Sequence, residues 1–158
     1  MATLVQVRQR VKTLNKRATF YKNVLRIAKR FEAYLIDLNQ SNLSEGRDIF
    51  GQVVGQYSEK TEEIASREFT KQPKVAGRNY NFEWSGDFFA GMRLRLTADY
   101  IEFISVTSEA PLVLAKFSNI FGEQILLGLS EKDLDEFVKS KLIPELQKYT
   151  CEVLNLNV

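Results

Sequence analysis

The hydrophobic period of this chain changes twice, and that constrains its fold more than any other feature. Between residues 3 and 39 apolar residues recur at helical spacing: Leu4, Val7, Val11 and Leu14, then Val24, Ile27, Ala28, Phe31, Leu35 and Leu38. No Gly or Pro precedes Gly46. A long N-terminal helix is expected, with its weakest stretch, Asn15 to Thr19, as the place for a break. Around residue 80 the period becomes two. Tyr80, Phe82 and Trp84 alternate with Asn81 and Glu83, which predicts a short half-buried strand or an extended entry to the sheet. Met92, Leu94 and Leu96 alternate with Arg93 and Arg95, and Tyr100 to Val106 reads as the return strand of a hairpin turning at Ala98-Asp99. The helical period then returns in Leu134, Phe137, Val138, Leu142 and Leu146, where Pro144 is expected to kink or split the helix. The fold class is therefore α+β: a long N-terminal helix, a small antiparallel sheet with a hairpin, and a C-terminal helix.

Between these blocks the chain is punctuated. Gly46, Gly51 and Gly55 mark loop or short helix over residues 40–56, and Lys71, Pro73, Lys74, Gly77 and Arg78 mark a polar connection. Ser58 and Ser130 stand where helix N-caps belong, each followed by acids that suit a helix N-terminus. Pro111 suits the first turn of a short helix over 111–121. The tail, Cys151 to Val158, is rich in Val, Leu and Asn and has the character of an added edge strand.

Composition narrows function by what it removes. The 158 residues contain no His and one Cys, so the commonest general base, the commonest metal ligand and a structural zinc site are all missing. Cys151 has no partner for an internal disulfide, and no apolar run is long enough to span a bilayer. Polar residues interrupt the first eight positions too early for a signal peptide, so assembly in a cytoplasm is expected. The glycines at 46, 51 and 55 lack the Gly-Lys-Ser/Thr ending of a phosphate loop. Asp87, Asp99 and Glu102 are the carboxylates nearest a turn or strand, but no motif pairs them for acid–base work. We therefore expect no catalytic residue, no cofactor and no metal, and a protein that is not an enzyme.

Charge is unevenly divided. Residues 1–40 carry nine Lys/Arg against Glu32 and Asp37, a net +7, while residues 41–158 carry thirteen basic and eighteen acidic residues, a net −5. The chain divides accordingly into a basic N-terminal helical region, 1–40, and an α+β domain, 41–158. Arg8, Lys12, Lys16, Lys22, Arg26, Lys29 and Arg30 fall towards one side of the helix. That spacing is what any solvated helix face shows; contact with an acidic neighbouring subunit and contact with nucleic-acid phosphates are the functional alternatives. Trp84, Phe88 and Phe89 are candidates for interface anchors, with burial in the core as the alternative.

The order of short motifs from residue 45 to 148 resembles the tail-completion, or virion morphogenesis, proteins of tailed phages, meaning the Mu-type family and its diverged relatives among head–tail joining proteins. The residues that carry the resemblance are Tyr57-Ser58-Glu59-Lys60-Thr61, Ser85-Gly86-Asp87-Phe88, Phe121-Gly122 and Leu127-Gly128-Leu129-Ser130-Glu131-Lys132-Asp133. Each string is common alone, and the joint order is the signal. The resemblance implies a structural virion protein at the head–tail junction: a tail-completion, terminator or connector part acting by ring assembly. Implied partners are other copies of the chain in a ring, often sixfold in that family, the portal or connector and tail-tube proteins, and DNA passing through the ring. No membrane partner is implied. The alternative is a nucleic-acid-binding accessory protein using the basic helix.

Overall fold

A computed structural model describes residues 8–12, 16–108, 110–111, 113–115 and 126–154, without the side chains of residues 17 and 18. The fold is α+β. Helices α1 (Arg17–Lys29), α2 (Glu32–Ser44) and α3 (Glu59–Arg67) precede a single helical turn, α4 (Asp87–Ala90). Strands β1 (Met92–Leu96) and β2 (Ile101–Ser105) follow, then α5 (Glu131–Phe137), a π-helical stretch at Val138–Leu142, and α6 (Ile143–Leu154). Residues 8–12 are also helical.

The N-terminal helical reading holds along most of its described length, but the helix is divided in a second place. Phe31 leaves the helical region (φ −95°, ψ 22°), and the amides of Arg30 and Phe31 reach back only three residues, to Ile27 and Ala28. The cause is tertiary. The Phe31 ring meets Phe137 edge-on at 5.7 Å, and α2 starts afresh with Glu32 in its first turn. α2 also runs through residue 40, so no boundary of secondary structure falls there.

The strands form a two-stranded antiparallel sheet in the register Met92↔Ser105, Leu94↔Phe103 and Leu96↔Ile101. Those three pairs share one face, on which Met92 and Leu94 are buried; Arg93 and Arg95 share the solvent face with Ile104 and Glu102. Each buried residue of β1 serves a different core. Met92 joins Leu43, Val54, Phe82, Phe88, Phe89 and Leu126. Leu94 joins Ala28, Leu35 and Phe137, backed by Phe31, Tyr34 and Phe103. Removing each large side chain from water contributes about 1.5–3 kcal/mol. Polar residues of α2 bracket the two cores: Asn39 donates to the Leu126 carbonyl (2.9 Å), Gln40 to the Phe89 carbonyl (2.8 Å) and Asn42 to the Asp133 carboxylate (2.7 Å).

Local signals behave as their chemistry dictates. Ser58 and Ser130 are N-caps, accepting from the amides of Thr61 (3.2 Å) and Asp133 (3.1 Å). Two expectations change. The alternation of Tyr80, Phe82 and Trp84 does not make a strand: Phe82 turns into the left-handed region at φ 54° to send its ring into the core. Pro144 does not split its helix; of the two outcomes expected there, what the structure has is a local disturbance, a π-wound turn just before the proline in which the Ile143 amide bonds to the Val138 carbonyl. A wider turn lets the helix pass a proline that supplies no N–H. The expected short helix at 111–121 falls in the described residues only at 111 and 113–115, which are helical. The edge-strand reading of the tail is corrected for residues 151–154, which continue the last helix to Leu154, and lies outside the described residues for 155–158.

Candidate assembly surface

The basic residues singled out from sequence fall into two groups. Arg8, Lys12, Lys16, Lys22 and Arg26 are exposed, and no carboxylate of the described residues lies within ion-pair distance of them. Lys29 and Arg30, at the end of α1, are engaged within the chain. Arg30 meets Glu145 of α6 at 3.2 Å. Lys29 meets Glu32 at 2.7 Å and donates to the Leu94 carbonyl, while Glu32 accepts the Leu94 amide at 2.7 Å. Hydrogen bonding from Lys29, then from the Leu94 amide, holds the Glu32 carboxyl below its ordinary value. The ends of α1 and α6 and the tip of β1 border an open groove of about 350 Å³, lined by Asn23, Arg26, Lys29, Arg30, Leu96 and Tyr149. Asn23 and Tyr149 close one wall through a 2.7 Å hydrogen bond.

The aromatic candidates separate in the same way. Phe88 and Phe89 are 4% and 8% exposed and belong to the Met92 core, so as surface anchors they are corrected: the turn at Gly86 (φ 91°) starts α4, which points both rings inward. Trp84 is half-buried, and its carbonyl accepts the Lys71 amide at 2.8 Å. Exposed apolar side chains lie elsewhere, at Phe20, Tyr21, Phe50 and Phe69. The carboxylates weighed for chemistry have ordinary work. Asp87 accepts from Ser85 (2.9 Å), Glu102 pairs with Arg95 (2.6 Å), and Asp99 is exposed at the hairpin turn. Among the described residues no three His, Cys, Asp or Glu side chains are grouped to hold a metal ion, and no helix is long and apolar enough to cross a membrane.

No family model, curated protein or solved structure matches the chain. The site therefore rests on its own geometry.

That geometry includes a cluster the sequence did not disclose. Lys74 is 3% exposed, donating to Asn81 Oδ1 (2.5 Å) and the Glu83 carbonyl (3.0 Å), with its ammonium 5.6 Å from the centre of the Tyr57 ring. The Tyr57 hydroxyl donates to the same Asn81 oxygen (2.8 Å) and accepts the Asn81 amide (3.1 Å). Burial pushes the Lys74 ammonium below its ordinary value, against the opposing pull of Glu83, and pushes the Tyr57 and Tyr80 phenols up. The cluster opens onto a polar hollow of about 460 Å³ lined by Tyr57, Gln72, Arg78 and Asn79 among others. Its donors are spent on fastening the connection over residues 70–83 against Tyr57. A lysine in a run of polar residues carries no sign of burial, and Tyr57 lies too far along the chain to announce the contact.

Proposed function

We propose that this chain is a structural protein of the head–tail junction of a tailed phage, assembled into the virion in the host cytoplasm, acting by ring assembly and not by catalysis. The order of its Tyr57–Thr61, Ser85–Phe88 and Leu127–Asp133 motifs supports that reading. The observation that carries it is the row of exposed cations, Arg8, Lys12, Lys16, Lys22 and Arg26, that no carboxylate of the described residues meets, on a chain whose remaining residues are net acidic. Unlike surfaces on one molecule favour head-to-tail contacts, which generate rings when the rotation closes. Copies of the chain, the connector and the tail tube are the partners, with DNA in the lumen.

Electron microscopy of the parent particle tests this. A ring at the junction that contains this chain is the expected result; its absence there removes the reading. The same exposed cations support a second reading, a nucleic-acid-binding accessory protein. Retention on DNA that falls steeply with salt, and is lost on neutralising Lys22 and Arg26, would favour it. Lys29 and Arg30 are poorer positions for that test, because their charges already face Glu32 and Glu145.

A further inference from the structure

The two edges of the hairpin are finished differently. The bonds Thr97 N–H to Tyr100 O and Val106 N–H to Gly91 O fix which pairs are directly bonded. The backbone groups of Met92, Leu94 and Leu96 therefore point away from β2, and those of Ile101, Phe103 and Ser105 point away from β1. On β1 the outward groups of Leu94 are both occupied: Glu32 takes the N–H and Lys29 the C=O, so a side-chain pair stands in for a third strand. On β2 the outward backbone groups of Ile101, Phe103 and Ser105 make no hydrogen bond with any described residue. Ile101–Ser105 holds no Lys, no Pro and no bulge, and its one charged side chain, Glu102, is engaged by Arg95 within the hairpin. Its flanking residues, Tyr100 and Val106, are 56% and 63% exposed. Unpaired backbone groups at alternate residues fit an extended backbone better than any other ligand.

We propose that β2 pairs with β2 of a second copy, antiparallel about a two-fold axis at Phe103. The pattern is complementary to itself. Phe103 opposes the partner's Phe103, and Ile101 opposes the partner's Ser105. All of these are outward-facing residues, so about six N–H···O bonds form, two for each directly opposed pair. On the solvent face Glu102 opposes the partner's Ile104, so no like charges meet across the seam and the Arg95–Glu102 pair at 2.6 Å stays in place. The product is a four-stranded sheet, beyond the size at which a hairpin depends on its helices alone. A two-fold contact of this kind closes on itself and uses none of the exposed cations, so it does not rest on the ring reading.

The test follows the mass of the intact chain by analytical ultracentrifugation over a concentration series, with amide exchange measured by NMR at both ends of it. The expected result is a rise from one copy to two. With it the amides of Ile101, Phe103 and Ser105 slow by about tenfold or more, while those of Glu102 and Ile104 are protected throughout. A chain carrying Glu102→Cys and Ile104→Cys, with Cys151→Ser, should become a covalent dimer on mild oxidation, because positions 102 and 104 face each other across the seam. Four results overturn the proposal: a monomer at every concentration, a dimer whose three outward amides exchange as freely as in the monomer, protection of those amides that does not depend on concentration, or a double-cysteine chain that stays single when oxidised.

Discussion

Glu32→Ala should destabilise the chain by about 2 kcal/mol. The carboxylate has two ligands at 2.7 Å, the Lys29 ammonium and the Leu94 amide, and they contribute unequally. Leu94 is 3% exposed and its amide points away from β2, so truncation leaves a buried donor without a partner. A hydrogen bond to a charged group contributes about 1.5–3 kcal/mol. The ion pair, with side chains 34% and 30% exposed, adds only about 0–1 kcal/mol. Glu32→Gln keeps an acceptor for Leu94 and loses the pairing, so it should cost about 1 kcal/mol. Urea unfolding at pH 7 measures both, and for a domain of this size the alanine variant should lower Tm by about 4–8 °C. Acid adds a second readout. Because the folded carboxyl sits below its ordinary value of 4.5, its contribution is complete above that pH and is lost as pH falls through the folded value. The gap between wild type and Glu32→Gln should therefore narrow from pH 7 to pH 3. A Glu32→Ala chain within about 0.5 kcal/mol of wild type, the range of an ordinary surface change, would refute the view that this side chain closes the β1 edge. So would a gap to Glu32→Gln that ignores pH.

Gly46→Ala should cost more than about 2 kcal/mol, since φ is +76° and a Cβ would lie 2.5 Å from the Tyr80 carbonyl oxygen; Gly51→Ala, at φ +75° with nothing within 4 Å, should cost about 1 kcal/mol, and chemical denaturation of the two side by side checks the contrast. Lys74→Met probes the buried ammonium. The folded value is depressed below 10.5, so the folded state holds fewer protons than the unfolded one between those values, and wild type should gain stability relative to the variant as pH rises from 8 towards 10.5. Unfolding curves across that range decide it, and a constant difference would show that burial does not disfavour the charge. Ser130→Ala removes the acceptor for the Asp133 amide and should cost about 1 kcal/mol, read from the midpoint of thermal unfolding.

What could be read from the sequence is what lies close along it. The caps at Ser58 and Ser130 need only a hydroxyl and an amide three residues on, and the hairpin needs only a period of two, so both follow from local order. The misread places share another property: their conformation is set by a residue far away. The division at Phe31 follows from Phe137, more than a hundred positions later. The left-handed turn at Phe82 places a ring in a core that α2, α4 and β1 also build, so an alternating string that reads as strand is used as a corner. Phe88 and Phe89 show the limit for sites: an aromatic pair beside a glycine looks the same whether it will meet a partner or its own core. Lys29 and Glu32 show it for charges. Spaced three apart, they read as a helix-surface pair, and nothing in that spacing says that the helix stops between them.

That stop links the fold to its surface. Because α1 ends at Lys29 and α2 begins at Glu32, the two side chains leave adjoining helix ends and reach the donor and the acceptor of one outward-facing residue, Leu94. The chain thereby closes β1 with two of the nine basic and two acidic residues of its first forty, and Arg30 is held to Glu145 beside them. Among the described residues, the cations of that region left without an ion pair lie N-terminal to the junction, while on the opposite edge β2 leaves all three of its outward-facing residues unbonded. A charged helix and an unpaired strand edge draw on different forces, one screened by salt and the other nearly indifferent to it. Their contributions to association should therefore separate on a salt titration: contacts made through α1 weaken as ionic strength rises, and pairing through β2 persists.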